Sequence, residues 1–402
     1  MTHRRFLYLI AILLCTVSKA QQGGYRLDFE LSKKDFIDTI AITYEKGRVI
    51  VPVVINGEQR HFLLDTGAGH AVVYDDSMIE GASPAGTIVS HDALGRKDSV
   101  TLVTLPPLTI GTLQLSGLQA TIQHRPIKRG NFDGILGFDI VCKGLQMKID
   151  TRAQQLVLSD KQKLYRQEKK GFFRRLQIPK DEGICLKYKL QLHVPYLDVE
   201  PFTGYHESVL FDTGSRNLYA MNKQHFDAAE QACKLQKQIE GRSLGRHAIG
   251  FSGVEPLGEV VFLAIDELRL GDFAFRNVHT LTTQGGSHLG ARVLHYGAVV
   301  FDGQRRLLLF QPYEKTDGCL VGNRQIDKAI ISEGGLPVAG LVWERSEAFT
   351  AGLRQGDVIL KADNQPFRSF TDHLNFRPLI GHVYTFTVRD RRGFLKEVKM
   401  EW

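Results

Sequence analysis

The tripeptide Asp-Thr-Gly occurs twice in this chain, each time directly after an apolar run. The first copy (65–67) follows "FLL", and the second (212–214) follows "SVLF". Each copy also has a downstream counterpart, "GILGFDIVCKGLQMKID" (134–150) after the first and "SHLGARVLHYGAVVFD" (287–302) after the second. In both counterparts two glycines are seven residues apart, and the last apolar run ends on an aspartate. We therefore interpret most of the chain as two copies of one half-domain.

The pattern of apolar residues indicates strands far more often than helices. Alternation and turn residues predict strands within four segments, 48–57, 61–65, 99–123 and 145–159. The main helical spacing in the middle of the chain covers 224–240. These patterns predict a mainly β protein.

The 402 residues are too many for one ordinary core, so we expect more than one domain. A run with eight Lys or Arg and one Glu (161–180) separates the two repeats. Such a run can bind an acidic surface, but it more often forms a solvated connection. The predicted division is a targeting segment at 1–20, a first lobe at 23–160, a second lobe at 161–315 and a small domain at 319–402.

The first twenty residues have the pattern of a secretory signal peptide. Arg4 and Arg5 precede an apolar run, and Ser18 and Ala20 resemble the small residues of a cleavage site. A membrane anchor and a lipoprotein signal at Cys15 are the alternatives, but the apolar run is short for a membrane span. We predict an exported protein, periplasmic or secreted, without a membrane span.

Charge and cysteine content exclude little else. The formal charge of +7 is mild, and three of those charges lie in the first twenty residues, so we expect no nucleic-acid partner. The four later cysteines have wide spacings without a metal-binding pattern, and either disulfides or free thiols fit them. No metal and no cofactor are expected. The four are Cys142, Cys185, Cys233 and Cys319.

Two aspartates that meet face to face can perform hydrolysis. Like charges a few ångströms apart cannot both ionise, so Asp65 and Asp212 would share one proton. The ionised carboxylate can then take a proton from water while the protonated one donates to a carbonyl oxygen. Because Ser215 offers a hydroxyl to Asp212 and Ala68 offers none to Asp65, we expect the shared proton mainly on Asp65.

The residues after each aspartate suit such a pair. Thr66 and Thr213 have hydroxyls that can join the two turns. Gly67 and Gly214 let the main chain approach the carboxylates and offer amides to them. The small residues Ala68 and Ser215 leave room for the partner turn.

These motifs resemble the aspartic proteases of the retropepsin-like and pepsin-like clan. "LLDTGA" is similar to the retropepsin motif, "LFDTGS" is similar to the pepsin motif, and "GILG" resembles the loop that supports the catalytic turn. The resemblance covers about residues 40 to 312. It implies a bilobal β-barrel fold, a protein or peptide substrate, activity as a monomer, and catalysis by Asp65 and Asp212. The structural loop would consist of Ile135, Leu136 and Gly137 in the first lobe and Leu289 and Gly290 in the second.

Two features depart from that family. His288 stands where the family prefers an apolar residue, and we interpret it as a structural histidine. The counterpart of the flap, the hairpin that covers the two aspartates, is 90–102, with a turn near Leu94 and Gly95. It has no tyrosine of the pepsin kind. The matching segment of the second lobe is 245–260.

The end of the chain resembles a PDZ domain. In "SEAFTAGLRQGDVILKADNQPF" (346–367) a short helix leads to a Gly-Asp turn and an apolar strand. The resemblance implies a small α+β domain that could capture a peptide tail by strand addition, or one that braces the protease. The main alternative to an endopeptidase is an inactive two-lobed peptide-binding protein with a PDZ recruitment module.

Overall fold

The computed structural model describes residues 24–74, 80–92, 94–123, 132–161, 183–250, 253–322, 326–379 and 381–402. The predicted targeting segment and the basic connection from 162 onward lie outside these residues. Over the described residues the chain is mainly β, which confirms the predicted fold class. None of the described helices is long and apolar enough to cross a membrane.

The described residues of the first repeat form fourteen strands and one short helix. They are Glu30–Leu31 (β1), Ile37–Ala41 (β2), Thr43–Glu45 (β3), Arg48–Ile55 (β4), Glu58–Leu64 (β5), Ala71–Tyr74 (β6), Ser83–His91 (β7), Lys97–Thr104 (β8), Leu108–Ile110 (β9), Leu113–Ser116 (β10), Gln119–Gln123 (β11), Gly134–Leu136 (β12), Asp139–Cys142 (α1), Gln146–Asp150 (β13) and Gln155–Ser159 (β14).

In the part of the second repeat that the structure describes there are thirteen strands, one α-helix and a 3-10 helix at Ala291–His295. They are Ile184–Lys187 (β15), Lys189–Gln191 (β16), Val194–Phe202 (β17), Tyr205–Asp212 (β18), Tyr219–Asn222 (β19), Lys223–Ala232 (α2), Ile239–Gly245 (β20), Ile249–Gly250 (β21), Gly253–Val254 (β22), Gly258–Leu270 (β23), Phe273–Thr283 (β24), His288–Gly290 (β25), Gly297–Asp302 (β26) and Leu307–Pro312 (β27).

The remaining elements follow the second repeat. They are Gly318–Leu320 (β28), Lys328–Glu333 (β29), Leu336–Val342 (β30), Glu347–Thr350 (α3), Val358–Ala362 (β31), Gln365–Pro366 (β32), Phe370–Asn375 (α4), Val383–Arg389 (β33) and Leu395–Glu401 (β34).

The same strand arrangement surrounds both Asp-Thr-Gly turns. In the first repeat β12 lies between β5, to which it is parallel, and β6, to which it is antiparallel. In the second repeat β25 lies in the same way between β18 and β19. The two repeats therefore share a local topology as well as a sequence pattern.

One six-stranded sheet is built from both repeats. Its order is β15-β27-β26-β13-β14-β2, and β13 pairs with β26 in antiparallel fashion at its centre. One continuous apolar core contains buried residues of both repeats, such as Phe138 and Phe301, whose rings stack edge to face. This shared sheet and core fix the position of one repeat against the other.

The C-terminal module, residues 326–402, has its own sheet of order β29-β30-β31-β33-β34, with β32 on β31, and its own core. It contacts the second repeat through β20. A Cβ on Gly241 would lie 2.1 Å from Nε1 of Trp343, and one on Gly245 would lie 2.4 Å from Cδ1 of Leu341. Glycine at these two positions leaves room for the side chains of the module.

The structure corrects the predicted length of one helix and decides the state of the four cysteines. The helix predicted at 224–240 ends at Ala232, because Cys233 is extended and the chain turns to bury Leu235 in the core. The four cysteines considered for disulfides are all free thiols, and Cys185 is exposed.

Candidate active site

Each aspartate lies at the end of the strand that leads into its motif, beside the short strand (β12 or β25) that pairs with it. Asp65 follows β5 directly, and its amide donates to the carbonyl oxygen of Leu136 on β12 over 3.0 Å. Asp212 is the last residue of β18 and lies opposite Gly290 on β25. Both carboxylates are thus held at equivalent points of the two repeats.

Two threonines join the turns by reciprocal hydrogen bonds. The amide of Thr66 donates to the hydroxyl of Thr213, and the amide of Thr213 donates to the hydroxyl of Thr66, each over 3.0 Å. The Thr66 hydroxyl donates to the carbonyl of Phe211, and the Thr213 hydroxyl donates to that of Leu64. Both threonines are fully buried, so these bonds are shielded from water.

The glycines bring each carboxylate against the opposite turn. A Cβ on Gly67 would lie 2.7 Å from Cγ of Asp212, and a Cβ on Gly214 would lie 2.4 Å from Oδ2 of Asp65. The amide of each glycine donates to Oδ1 of the aspartate in its own turn over 2.8 Å. Any larger residue would push a carboxylate out of the shared site.

The environment of Asp65 favours its protonated form. Burial raises the pKa of Asp65 well above the usual range, and the charge of Asp212 raises it further. Amide hydrogen bonds from Gly67 and Ala68 offset part of this effect on the pKa. The environment of Asp65 thus favours a proton on this carboxyl group, through burial and the neighbouring charge rather than through the Ser215 hydroxyl from which the sequence argued.

The hydroxyl of Ser215 makes a different contact from the one expected. It lies 3.0 Å from Nε2 of His288, whereas the expected partner was the carboxylate of Asp212. The contact with Asp212 is made by the amide of Ser215, which donates to Oδ1 over 3.2 Å. His288 is therefore next to the site and bonded to one of its turns.

The predicted structural loops pack closely behind the turns. Leu136 and Leu289 are fully buried. A Cβ on Gly137 would lie 2.6 Å from the carbonyl of His70, and one on Gly290 would lie 2.2 Å from that of Asn217. Ile135, between Gly134 and Leu136, is half-buried on the same strand.

The hairpin predicted as a flap has its turn at the expected place. Asp92 accepts amide hydrogen bonds from Leu94 and Arg96, and Gly95 has a φ of +75°. The tip touches the matching segment of the second repeat: the Arg96 guanidinium donates to the carbonyl of Val254. A flap role for Leu94 and Gly95 stays a prediction.

The facing segment of the second repeat is anchored by a buried carboxylate. Glu255 accepts amide hydrogen bonds from His247 and Ala248 over 2.8 Å and another bond from the hydroxyl of Thr283. Burial acts to raise the pKa of Glu255, but the charge of His247 and the amide hydrogen bonds lower it overall. An ionised Glu255 holds the base of this hairpin in place.

A separate group of titratable side chains lies beside the first turn. The Tyr25 hydroxyl donates to Oδ2 of Asp139 over 2.7 Å, and the Tyr25 ring packs against the rings of His70 and His193. Burial raises the pKa of Asp139 to about 6 and lowers that of His70 to about 4. These contacts attach the N-terminal end of the described chain to both repeats.

Two residues near the site were not recognised as such from the sequence. Tyr196 lies on β17, and its pKa is raised by burial and by the charge of Asp212. His288 was interpreted as a structural residue only. Both contacts depend on strand pairing in the second repeat, and the sequence gives no local signal for them. Among the described residues, no group of three or more His, Cys, Asp or Glu could hold a metal ion.

Part of the chain is similar to a known protein family. Residues 51–140, which include Asp65 and the first structural loop, match the family model of aspartyl protease. No curated protein matches the chain.

Two solved structures are similar to this chain in outline. Basic 7S globulin from soybean is 10% identical, with a TM-score of 0.42 over 68% of this chain and 94% of the globulin chain. An aspartic proteinase from Irpex lacteus is 12% identical, with a TM-score of 0.40 over 69% of this chain and 97% of its own.

Proposed function

We propose that this chain is an aspartic endopeptidase that hydrolyses peptide bonds with a water molecule held between Asp65 and Asp212. The observation that carries the proposal is the close approach of each carboxylate to the glycine of the opposite turn. Holding two carboxylates this close in a partly buried place lowers the stability of the fold. A shared proton and a reacting water give that arrangement a chemical use.

The proton placement assigns a role to each aspartate. Asp212, the ionised partner, takes a proton from the water as that water attacks the peptide carbonyl carbon. Asp65, whose pKa is raised, donates its proton to the carbonyl oxygen, so a neutral tetrahedral intermediate forms. Asp212 then gives the proton it took from water to the amine nitrogen, the C–N bond breaks, and Asp65 takes a proton from a hydroxyl of the intermediate, so that acid and amine form and the pair regains its single proton on Asp65. Neither step requires a covalent link to the enzyme.

A library of internally quenched peptides, incubated with the full chain between pH 3 and pH 7, tests the proposal. Cleavage that a statine-type inhibitor blocks and that Asp65→Asn abolishes would support it. Binding of the same peptides without cleavage at any pH would instead support the inactive peptide-binding protein.

We further propose that the chain is exported and that its C-terminal module binds peptide tails. The N-terminal signal pattern supports export, and an N-terminus at Gln21 in the secreted protein would test it. For the module, β29 is the terminal strand in the order of its sheet, where an added strand could pair.

Full-length Asp65→Asn protein, titrated with fluorescent peptides, would test this second role. Peptides with a free C-terminal carboxylate should bind more tightly than the same peptides with an amidated end. Equal affinity for both forms would contradict tail capture.

A further inference from the structure

We propose that His288 is a positioning residue for Asp212, and that it acts by holding the hydroxyl of Ser215. This inference rests on the proposed proteolytic function. In this arrangement the amide of Ser215 stays on the Asp212 carboxylate while the hydroxyl proton is kept away from it. Ala68 and Ile135, at the equivalent positions of the first repeat, have no polar side-chain atoms to form such a pair.

Equivalent positions beside the two motifs carry different residues in the two repeats. Ile135 pairs with Leu63, two residues before Asp65, and His288 pairs with Leu210, two residues before Asp212. The small residue after each glycine is apolar in the first turn, where it is Ala68, and polar in the second, where it is Ser215. Two apolar positions of the first repeat have thus both become polar in the second.

The two polar residues of the second repeat form a hydrogen bond with each other. Ser215 and His288 are 73 residues apart in sequence, yet Oγ of the one lies 3.0 Å from Nε2 of the other. A lone histidine could be a satisfied core residue. A histidine whose partner is the residue next to the motif is connected to the carboxylate through that residue.

The contact of the other ring nitrogen of His288 determines the direction of this hydrogen bond. Nδ1 of His288 lies 3.1 Å from the carbonyl oxygen of Gly286, which can only accept, so Nδ1 carries a hydrogen. In the neutral ring Nε2 is then an acceptor, and the Ser215 hydroxyl must donate to it. While the ring is neutral, the same hydroxyl hydrogen cannot also be given to Asp212; in the protonated ring Nε2 donates to the hydroxyl and leaves that hydrogen to Asp212.

Other titratable groups on the neighbouring strands have partners of their own. Glu207 of β18 accepts hydrogen bonds from Tyr219 of β19, from Ser287 and from the imidazole of His225. Tyr205 of β18 donates to the carbonyl of His225. His206, also on β18, is exposed. The titratable groups around this pair are therefore Asp212 with its partner Asp65, Tyr196, whose pKa is raised by burial and by the charge of Asp212, and His288 itself.

Removal of the imidazole tests this arrangement. In His288→Leu the Ser215 hydroxyl loses its acceptor and becomes free to donate to Asp212, which favours the charged form of that carboxylate. If the ring is neutral at the acid limb, that limb of the kcat/KM profile should move to lower pH by about one unit, whereas a protonated ring already leaves the hydroxyl hydrogen to Asp212 and would give no such movement. His288→Gln, which retains an acceptor, should restore the wild-type limb. In the double variant Ser215→Ala/His288→Leu the limb should return toward wild type, because no hydroxyl remains.

A second variant keeps the test decisive if His288→Leu does not fold. Ser215→Ala alone should leave the pH of the acid limb in place, because the wild-type hydroxyl is committed to His288. A limb that moves to higher pH in Ser215→Ala, or one that does not move in a folded His288→Leu, would overturn the inference. Wild-type protein that cleaves no peptide at any pH would instead refute the proposed function.

Discussion

Thr66 and Thr213 exchange hydrogen bonds across the boundary between the repeats, with each amide donating to the other hydroxyl over 3.0 Å. Each hydroxyl also donates to a carbonyl of the opposite strand, so four buried hydrogen bonds connect the two motifs. The two motifs are thus joined at their centres as well as through the shared sheet.

Replacement of Thr66 by Val should destabilise the whole fold. The change leaves the Thr213 amide and the Phe211 carbonyl buried without their partner, and each such group costs about 1–3 kcal/mol. We expect the free energy of unfolding in urea to fall by about 3 kcal/mol. Thr66→Ser, which retains the hydroxyl, is the control and should cost about 1 kcal/mol or less. A Val variant as stable as the Ser variant would show that the hydroxyl contributes little.

Asp65→Asn and Asp212→Asn should each abolish peptide hydrolysis. Neither carboxylate can serve as base and acid for the same water, and the amide side chain fills the same volume. Both motifs lie in one chain and contact each other there, so a mixture of the two variants should regain no activity. Appreciable recovery after co-refolding, together with a dimer in light scattering, would mean that the active site forms between chains.

Ionisation of Asp139 should lower the stability of the fold as the pH rises. Its pKa is raised by burial to about 6, above the value of about 4 in an unfolded chain. The stabilisation is fully present below pH 4 and is lost as the pH rises through 6. Asp139→Asn cannot ionise and retains an acceptor for Tyr25. The stability of wild type relative to Asp139→Asn should therefore fall between pH 4 and pH 7, on the order of 2 kcal/mol.

Urea unfolding of both proteins at several pH values measures this difference. Contributions common to both proteins, such as that of Asp65, cancel in the comparison. A constant difference between pH 4 and pH 7 would show that Asp139 does not titrate in this range.

The contact between β20 and the C-terminal module predicts that the module stabilises the second repeat. Val260, Phe262 and Leu281 of that repeat form one buried cluster with Leu341 of the module. Gly241→Ala would place a methyl against the indole of Trp343, so we expect a lower melting temperature and weaker cleavage of short peptides. Glu333→Gln, which removes an exposed ion pair with Arg246, is the control and should cost less than about 1 kcal/mol.

Limited proteolysis provides a second measurement for this contact. In the Gly241→Ala variant, cleavage between the second repeat and the module should become faster than in the control. Unchanged melting and unchanged proteolysis in that variant would show that the contact is not needed.

Local patterns in the sequence were enough to predict the strands, the two motifs and the turn at Gly95. These features depend on residues close in sequence: an apolar run, a polar residue and a glycine. The end of the helix at Ala232 was missed because burial of Leu235 overrides the helical spacing after it. The bond between Ser215 and His288 was missed because only strand pairing in three dimensions brings these residues together.

The shared six-stranded sheet also affects the direction in which a peptide substrate would bind. A peptide has a direction, and a cleft made of two identical halves would accept it equally well from either end. Here the sheet fixes a first repeat with Ala68 and Ile135 permanently opposite a second repeat with Ser215 and His288. If the chain cleaves peptides as proposed, the proton donor always lies on the same side of the bound backbone, and only one orientation of the substrate is productive.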